Sequence, residues 1–353
     1  PEMTAVIQGP SCPVPHRERQ RVLLGHGSGG QLSAELLRTV IVPALGAGAP
    51  HPIIDDAAVI GAPAGASLAF STDAYVVNPR RFPGGGIGDL AVNGTINDLA
   101  MMGAQPLALS LAYIIEEGLP IDELRRVTEE VGRAAAAAGV AVVTGDTKVV
   151  GRGAADGLYL VTAGIGSCGA VRPAAASARP GDAILLSGPI AAHGMAVMSA
   201  REDFGFDAEI ASDTVALHRL VADLLAAATG THVLRDPTRG GLASALNEIA
   251  AASGVGVDLD EAAIPIDEPV RAACELLGLD PMHVANEGIC VAFVPQDQAS
   301  AALAAMRGRP EGATAAVIGR AVAEHPGRVA LRTGVGSRRL VDPLIGEQLP
   351  RIC

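Results

Sequence analysis

Two kinds of residue in this sequence can do chemistry: a cysteine at the last position, and aspartates set beside small residues in the first half. Cys353 closes the run Pro350-Arg351-Ile352-Cys353. A thiolate is the strongest nucleophile among ordinary side chains near neutral pH. Carried on an extended arm of about fifteen residues, at ~3.3 Å each, it could sweep tens of ångströms. Prenylation requires the cysteine four places from the end and is excluded. The aspartates fall in four groups: Asp55-Asp56 within an apolar stretch, Asp73 closing Phe70-Ser71-Thr72-Asp73, Asp98 after Asn97, and Asp146 in Gly145-Asp146-Thr147-Lys148. Carboxylates in apolar strands are costly to bury unpaired. A hard divalent cation with phosphate oxygens would satisfy several together. Any one of them could instead cap a helix or pair locally, but the set favours metal-bound phosphate.

Other segments carry weaker signals. Gly25-His26-Gly27-Ser28-Gly29-Gly30 could wrap phosphates with backbone N–H groups at a helix start, or serve as a flexible joint. It lacks the GxxxxGK[ST] pattern. Arg235-Asp236-Pro237-Thr238-Arg239-Gly240-Gly241 precedes a helix that Asp236 or Thr238 could cap, with proline at its start. Arg239 opposes that helix's dipole unless an anion lies nearby. Glu287, in Ala285-Asn286-Glu287-Gly288, precedes an apolar strand, where a plain turn role competes with a chemical one. His26, His51, His193, His218, His232 and His283 show no metal-ligand spacing and read as structural or surface residues.

The elements that must position these groups follow from periodicity. Helices are expected at 32–42 (ending at Pro43), 88–102, 121–138, 193–201, 213–228 and 239–253. Strands are expected at 53–60, 67–73, 107–115, 140–144, 157–165, 182–187, 255–259, 289–294, 315–318 and 329–332. This order is α+β or mixed α/β. A Pro/Ala-rich boundary at 170–181 separates two domains, as 353 residues demand. The organisation is a poorly ordered leader at 1–23, an N-terminal domain at 24–170, a C-terminal domain at 180–333, and a mobile tail at 334–353 hinged at Thr333–Ser337.

The chain has 49% hydrophobic residues but no Trp and only 2% aromatics, so its cores rest on Ala, Val, Leu and Ile. A net charge of −12 argues against a nucleic-acid surface. It suits an anionic substrate only if metal ions bridge the carboxylates to it. Five cysteines without a CxxC pair fit reduced thiols in a cytoplasmic protein. No membrane-spanning run and no signal-peptide core stand out.

Together the motifs at 55–58, 71–73, 88–100, 145–148, 235–241 and 286–288, with the terminal cysteine, resemble the hydrogenase maturation factor HypE family. That family belongs to the ATP-binding superfamily of aminoimidazole ribonucleotide synthetase and selenophosphate synthetase. The resemblance runs from about Leu24 to the terminus, and the final Pro-Arg-Ile-Cys is its most specific part. It implies a two-domain PurM-like ATP-binding fold whose N-terminal sheets pair in a homodimer, with ATP at the interface. It implies ATP-dependent dehydration of a carbamoyl group on Cys353, from thiocarboxamide to thiocyanate, the source of cyanide for the iron of [NiFe]-hydrogenase. HypF would donate the carbamoyl group and a HypC–HypD scaffold would accept the cyanide. Lys148 and Glu287 match the family's deprotonation positions, beside Cys353 as the carrier. Asp55, Asp56, Asp98 and Asp146 match Mg²⁺ ligands. Gly27, Ser28, Gly29, Gly30, Asp73, Asn97, Thr147, Asp236 and Arg239 match nucleotide-binding positions. Selenophosphate synthetase is the nearest rival, but it would place a reactive Cys with a Lys in the glycine-rich loop, and neither occurs at 25–30. A non-enzymatic carrier is the rival of another class.

Overall fold

The computed structural model describes residues 20–23, 36–46, 67–202, 210–343, 349 and 351–353. The glycine-rich run 25–30, with Gly27, Ser28, Gly29 and Gly30, lies outside the described residues, as do Asp55, Asp56 and the strand expected at 53–60.

The first half contains α1 (Val42–Leu45), β1 (Leu68–Tyr75), a ribbon of β2 (Arg81–Phe82) and β3 (Gly85–Gly86), α2 (Ile87–Met101), β4 (Ala104–Glu116), α3 (Ile121–Ala138), β5 (Ala141–Val150) and β6 (Leu158–Cys168). Its sheet runs β1-β6-β4-β5, antiparallel except for the parallel β4/β5 pair. In α3, Ile121, Leu124, Val127, Val131 and Ala135 recur at helical spacing and are buried, and Gly139 closes the helix at φ 73°. α2 is buried on nearly every side, polar Asn93, Thr95 and Asn97 included, because it lies between this sheet and the second domain.

The second half contains β7 (Asp182–Leu186), α4 (Ala192–Glu202), α5 (His218–Ala227), β8 (Val233–Arg235), α6 (Gly241–Ser253), β9 (Gly256–Asp260), α7 (Glu268–Leu277), β10 (Val291–Pro295), α8 (Ala299–Arg307), β11 (Ala316–Val322), β12 (Val329–Arg332) and β13 (Arg338–Leu340). The sheet order is β13-β12-β9-β11-β7-β10-β8. β7 shows why a central strand reads as continuously apolar: Ile184 and Leu186 enter one core with α6, while Ala183 and Leu185 enter the other with α5 and α8.

Four expectations change. β5 does not stop at Thr144: its ladder with β4 runs on to Glu116↔Val150, so Asp146, Thr147 and Lys148 are strand residues. Pro43 does not end the first helical segment but sits at the start of α1, where a missing N–H costs nothing. Thr333–Ser337 is the turn of the β12/β13 hairpin, closed by Thr333 N–H to Ser337 O at 2.8 Å, so the second sheet extends to Leu340. Val22, placed in the leader, is fully buried in the N-terminal core and bonds Leu119 O at 2.8 Å.

Candidate active site

The site lies where the inner face of β1, the middle of α2, and loops of the second domain converge. Alternation along β1 turns Ser71, Asp73 and Tyr75 to one side. That side faces α2. Thr162, the register partner of Asp73, has its hydroxyl 2.5 Å from that of Thr95, and Ser71 Oγ donates to Asp98 Oδ2 at 2.6 Å. Desolvation raises the Asp98 carboxyl above its ordinary value and Asp73 adds to this, while the Ser71 bond opposes it. Tyr75 is buried with no hydrogen-bond partner for its hydroxyl among the described residues, and burial with Asp73 and Glu287 nearby raises its pKa well above the usual phenol range.

The second domain supplies Asp236, Arg239 and Glu287. Asp236 does not cap α6, and neither does Thr238. The helix starts at Gly241 after Gly240 at φ 78°, with no side-chain cap. Consecutive left-handed glycines, Gly240 and Gly241, turn the chain so that Asp236 comes within the field of Asp98 instead. Burial first, then Asp98, pushes the Asp236 carboxyl up to about 7. Glu287 is 5% exposed. Desolvation, then Asp213, Asp236 and Asp73, raise it well above the usual carboxylate range, and Arg239 alone among its named neighbours opposes them.

Into this pocket comes the chain's end. Cys353 O accepts from Val76 N–H at 3.0 Å and Arg351 O from Asn78 N–H at 3.2 Å, so the tail lies alongside the segment after β1, turned at Arg351 with φ 51°. Ile352 is 3% exposed. Arg351 Nε donates to Val76 O at 3.0 Å, its guanidinium pairs with Asp156, and Arg201 Nη2 donates to Arg351 O at 3.1 Å. Burial, then Glu287 and Asp73, push the Cys353 thiol up to about 12, with Arg239 opposing. The expected mobile tail is thus seen docked, its thiol within the fields of Glu287, Asp73 and Arg239.

Other expected residues are elsewhere. In the β4/β5 register Tyr113 pairs with Thr147, and Tyr113 is buried against Thr128 of α3, so Thr147 faces inward. Asp146 and Lys148 therefore face the opposite, outer side of the sheet. They are exposed and paired at 2.8 Å, and the Lys148 hydrogen bond lowers the Asp146 carboxyl. Within one chain Lys148 does not meet Glu287, and Asp146 does not join Asp98. No group of three or more His, Cys, Asp or Glu side chains converges on a metal position among the described residues. Asn97 is not free for a nucleotide: its amide donates to Val215 O at 3.0 Å and Glu287 O at 3.1 Å and accepts from Leu217 N–H at 2.8 Å. It joins α2 to the second domain.

Two residues escaped the reading of the sequence. Asp213 accepts from the Glu287 and Gly288 N–H groups, and His193 Nε2 lies 2.8 Å from Ile352 O. Asp213 sits in Ser212-Asp213-Thr214, which reads as an ordinary cap at the start of an expected helix. His193 has no partner at ligand spacing, and only the docked tail gives it one.

This architecture, two α/β domains clasping a carboxylate-rich pocket, is that of AIR synthase related proteins. The model of that family's N-terminal domain matches residues 54–168 and that of its C-terminal domain matches 179–332. The chain is 52% identical to carbamoyl dehydratase HypE of Rhodobacter capsulatus over 339 residues, 95% of this chain and 98% of that one. A solved HypE in complex with ATP matches with a TM-score of 0.89 at 46% identity, covering 94% of this chain and 99% of that one. The HypE of a solved HypE–HypF complex matches with a TM-score of 0.77 at 44% identity, covering 78% and 90%. The chain belongs to the HypE family of carbamoyl dehydratases, which act in hydrogenase maturation.

Proposed function

We propose that this chain dehydrates a carbamoyl group carried on its own Cys353, consuming ATP. The observation that carries this reading is the docked tail, which puts the terminal sulfur into a pocket of raised carboxyls led by Glu287. ATP is the co-substrate by kinship with the ATP-bound HypE. The net change is S–C(=O)–NH₂ plus ATP to S–C≡N plus ADP and phosphate. The carbonyl oxygen leaves as phosphate and two N–H protons depart. Burial and the neighbouring carboxylates that raise Glu287 well above the usual carboxylate range make its carboxylate form a strong proton acceptor, and it is given the role of base. Arg239, the cation facing both Glu287 and Cys353, suits the departing phosphate.

Asp73, Asp98 and Asp236 raise or face one another without enough local cations, which is the arrangement a hard cation relieves. Mg²⁺ held by Asp98 and Asp236, with Asp55 and Asp56, would supply charge neutralisation. A thiol held near 12 is almost wholly protonated at neutral pH and a weak nucleophile. Carbamoyl loading by a HypF-type donor therefore belongs to an undocked tail and dehydration to the docked one. A HypC–HypD scaffold would then take the cyanide.

The outer face of the first sheet carries exposed Leu68 and Phe70, 50% and 69% exposed, on the edge strand β1, and Lys148 on the opposite edge strand β5. Pairing of this face with a second copy would bury them and bring Lys148 to the other subunit's site. Intact mass of the full-length protein after incubation with the carbamoyl-donor system and ATP tests the function. The expected course is gain of one carbamoyl group on Cys353, then loss of one water. A carbamoylated tail that never loses water with ATP present refutes it.

A further inference from the structure

Residues 210–217 lead into α5 without regular secondary structure, and neither the reaction nor the kinship assigns them a task. They are sewn to the first domain: Ser212 N–H donates to Pro83 O at 2.8 Å, Asn93 Nδ2 to Thr214 Oγ1 at 3.3 Å, and Asn97 Nδ2 to Val215 O at 3.0 Å. Gly84, at φ 86°, leaves room for the approach; a Cβ there would stand 2.6 Å from Ser212 N.

Two adjacent side chains of this strap reach the tail latch and the Glu287 loop. Ser212 Oγ is 2.9 Å from His193 Nδ1, whose Nε2 is 2.8 Å from Ile352 O. A carbonyl only accepts, so Nε2 carries the hydrogen. The ring is fully buried and desolvation lowers its pKa to about 4, so it is neutral and Nδ1 accepts from the Ser212 hydroxyl. Ser212 Oγ in turn accepts from Thr214 N–H at 3.2 Å, which completes an ordered chain from strap to tail. Phe82 stands edge-on to the imidazole, ring centres 5.3 Å apart. The neighbouring Asp213 carboxylate accepts from Glu287 N–H at 3.2 Å and Gly288 N–H at 3.3 Å, and the backbone N–H of His193 also donates to it.

We propose that the Ser212–Asp213 strap is the positioning element of the reaction: through His193 it latches the tail backbone, and through Asp213 it seats Glu287, so that one segment sets their separation. None of the three touches the reacting atoms. The latch reads a backbone carbonyl, so it holds free and loaded tails alike.

The proposal rests on the dehydratase reading, but one arm of its test needs no turnover. Full-length protein is treated with iodoacetamide and Cys353 modification followed by peptide mass. Single-turnover dehydration of the carbamoylated protein is measured beside it. His193→Ala is expected to speed Cys353 alkylation about tenfold and slow dehydration about tenfold with the KM for ATP unchanged. His193→Gln, which can still donate to the carbonyl, is expected to restore most of both. Asp213→Asn, whose amide oxygen can still accept from the His193 backbone N–H, is expected to leave alkylation at the wild-type rate and slow dehydration at least tenfold, again at unchanged KM. Should His193→Ala fail to fold, Ser212→Ala carries the same pattern at about threefold. Wild-type alkylation in both the His193 and Ser212 variants, or alkylation accelerated equally by Asp213→Asn, overturns the assignment. Loss of dehydration in the wild type with normal latch behaviour would instead overturn the functional reading.

Discussion

At Glu287, burial and three neighbouring carboxylates act in one direction and a single arginine in the other. The base role proposed for Glu287 predicts loss of function when its carboxylate is made an amide, while the pocket keeps its shape. Glu287→Gln is expected to bind ATP as wild type does, yet to lower the yield of the nitrile stretch at Cys353 at least a hundredfold in rate. Wild-type nitrile formation would remove Glu287 from the chemistry. The same desolvation has a price in stability. Asp213 and Asp236 are raised from 3.8 to about 6 and about 7. A group raised on folding stabilises fully below its unfolded pKa, and that contribution is lost as pH rises through the folded value. The nucleotide-free protein should therefore lose stability from about pH 4 to about pH 7. Asp236→Asn, neutral throughout, should stabilise by about 1–3 kcal/mol at about pH 8 and by little near pH 4.5. Denaturant titrations at the two pH values check this, and equal differences at both would contradict it.

At the scale of elements, the site depends on glycines where segments cross or turn. Gly241 sits at φ 62°, and a Cβ on it would stand 2.6 Å from Met282 O and 2.7 Å from Val284 O. Its bareness lets the start of α6 lie against the segment leading to Asn286 and Glu287, an arrangement held by Asn286 Nδ2 to Pro237 O at 2.7 Å. Gly241→Ala is expected to cost about 1–3 kcal/mol in chemical denaturation and to slow dehydration, since both loops must shift. Unchanged stability would show that the contact relaxes freely. Gly88 plays the corresponding part in α2, where a Cβ would meet Val127 O at 2.6 Å and wedge α2 from α3.

For the whole molecule, the proposed pairing of two copies makes a test of the role proposed for Lys148. It faces outward from the first sheet with Phe70, away from Asp73 and Glu287 of its own chain. If the outer faces pair, mixing Lys148→Ala with Glu287→Gln subunits rebuilds one intact site per mixed dimer. With random exchange half the dimers are mixed, so about a quarter of wild-type activity should return. No recovery after verified exchange would place both residues in one chain's site or make Lys148 dispensable. Phe70→Asp, which puts a charge into the apolar face, is expected to give monomers in sedimentation and no dehydration.

The composition and the motif spacing already determined much of this protein: two α/β domains, the strand bearing Asp73, the helix bearing Asp98, Glu287 just ahead of an apolar strand, and a cysteine-bearing tail. These follow from local periodicity and from the high cost of burying carboxylates without a purpose. Tertiary structure alone decided the rest. That Asp236 answers Asp98 instead of capping α6, that Asn97 is consumed in joining the domains, and that Lys148 turns away from Glu287 all depend on register and on contacts between distant segments. So does the pairing of His193 with a carbonyl 159 residues away. A one-dimensional pattern records which residues can bond; only the packed chain settles which partner lies within three ångströms.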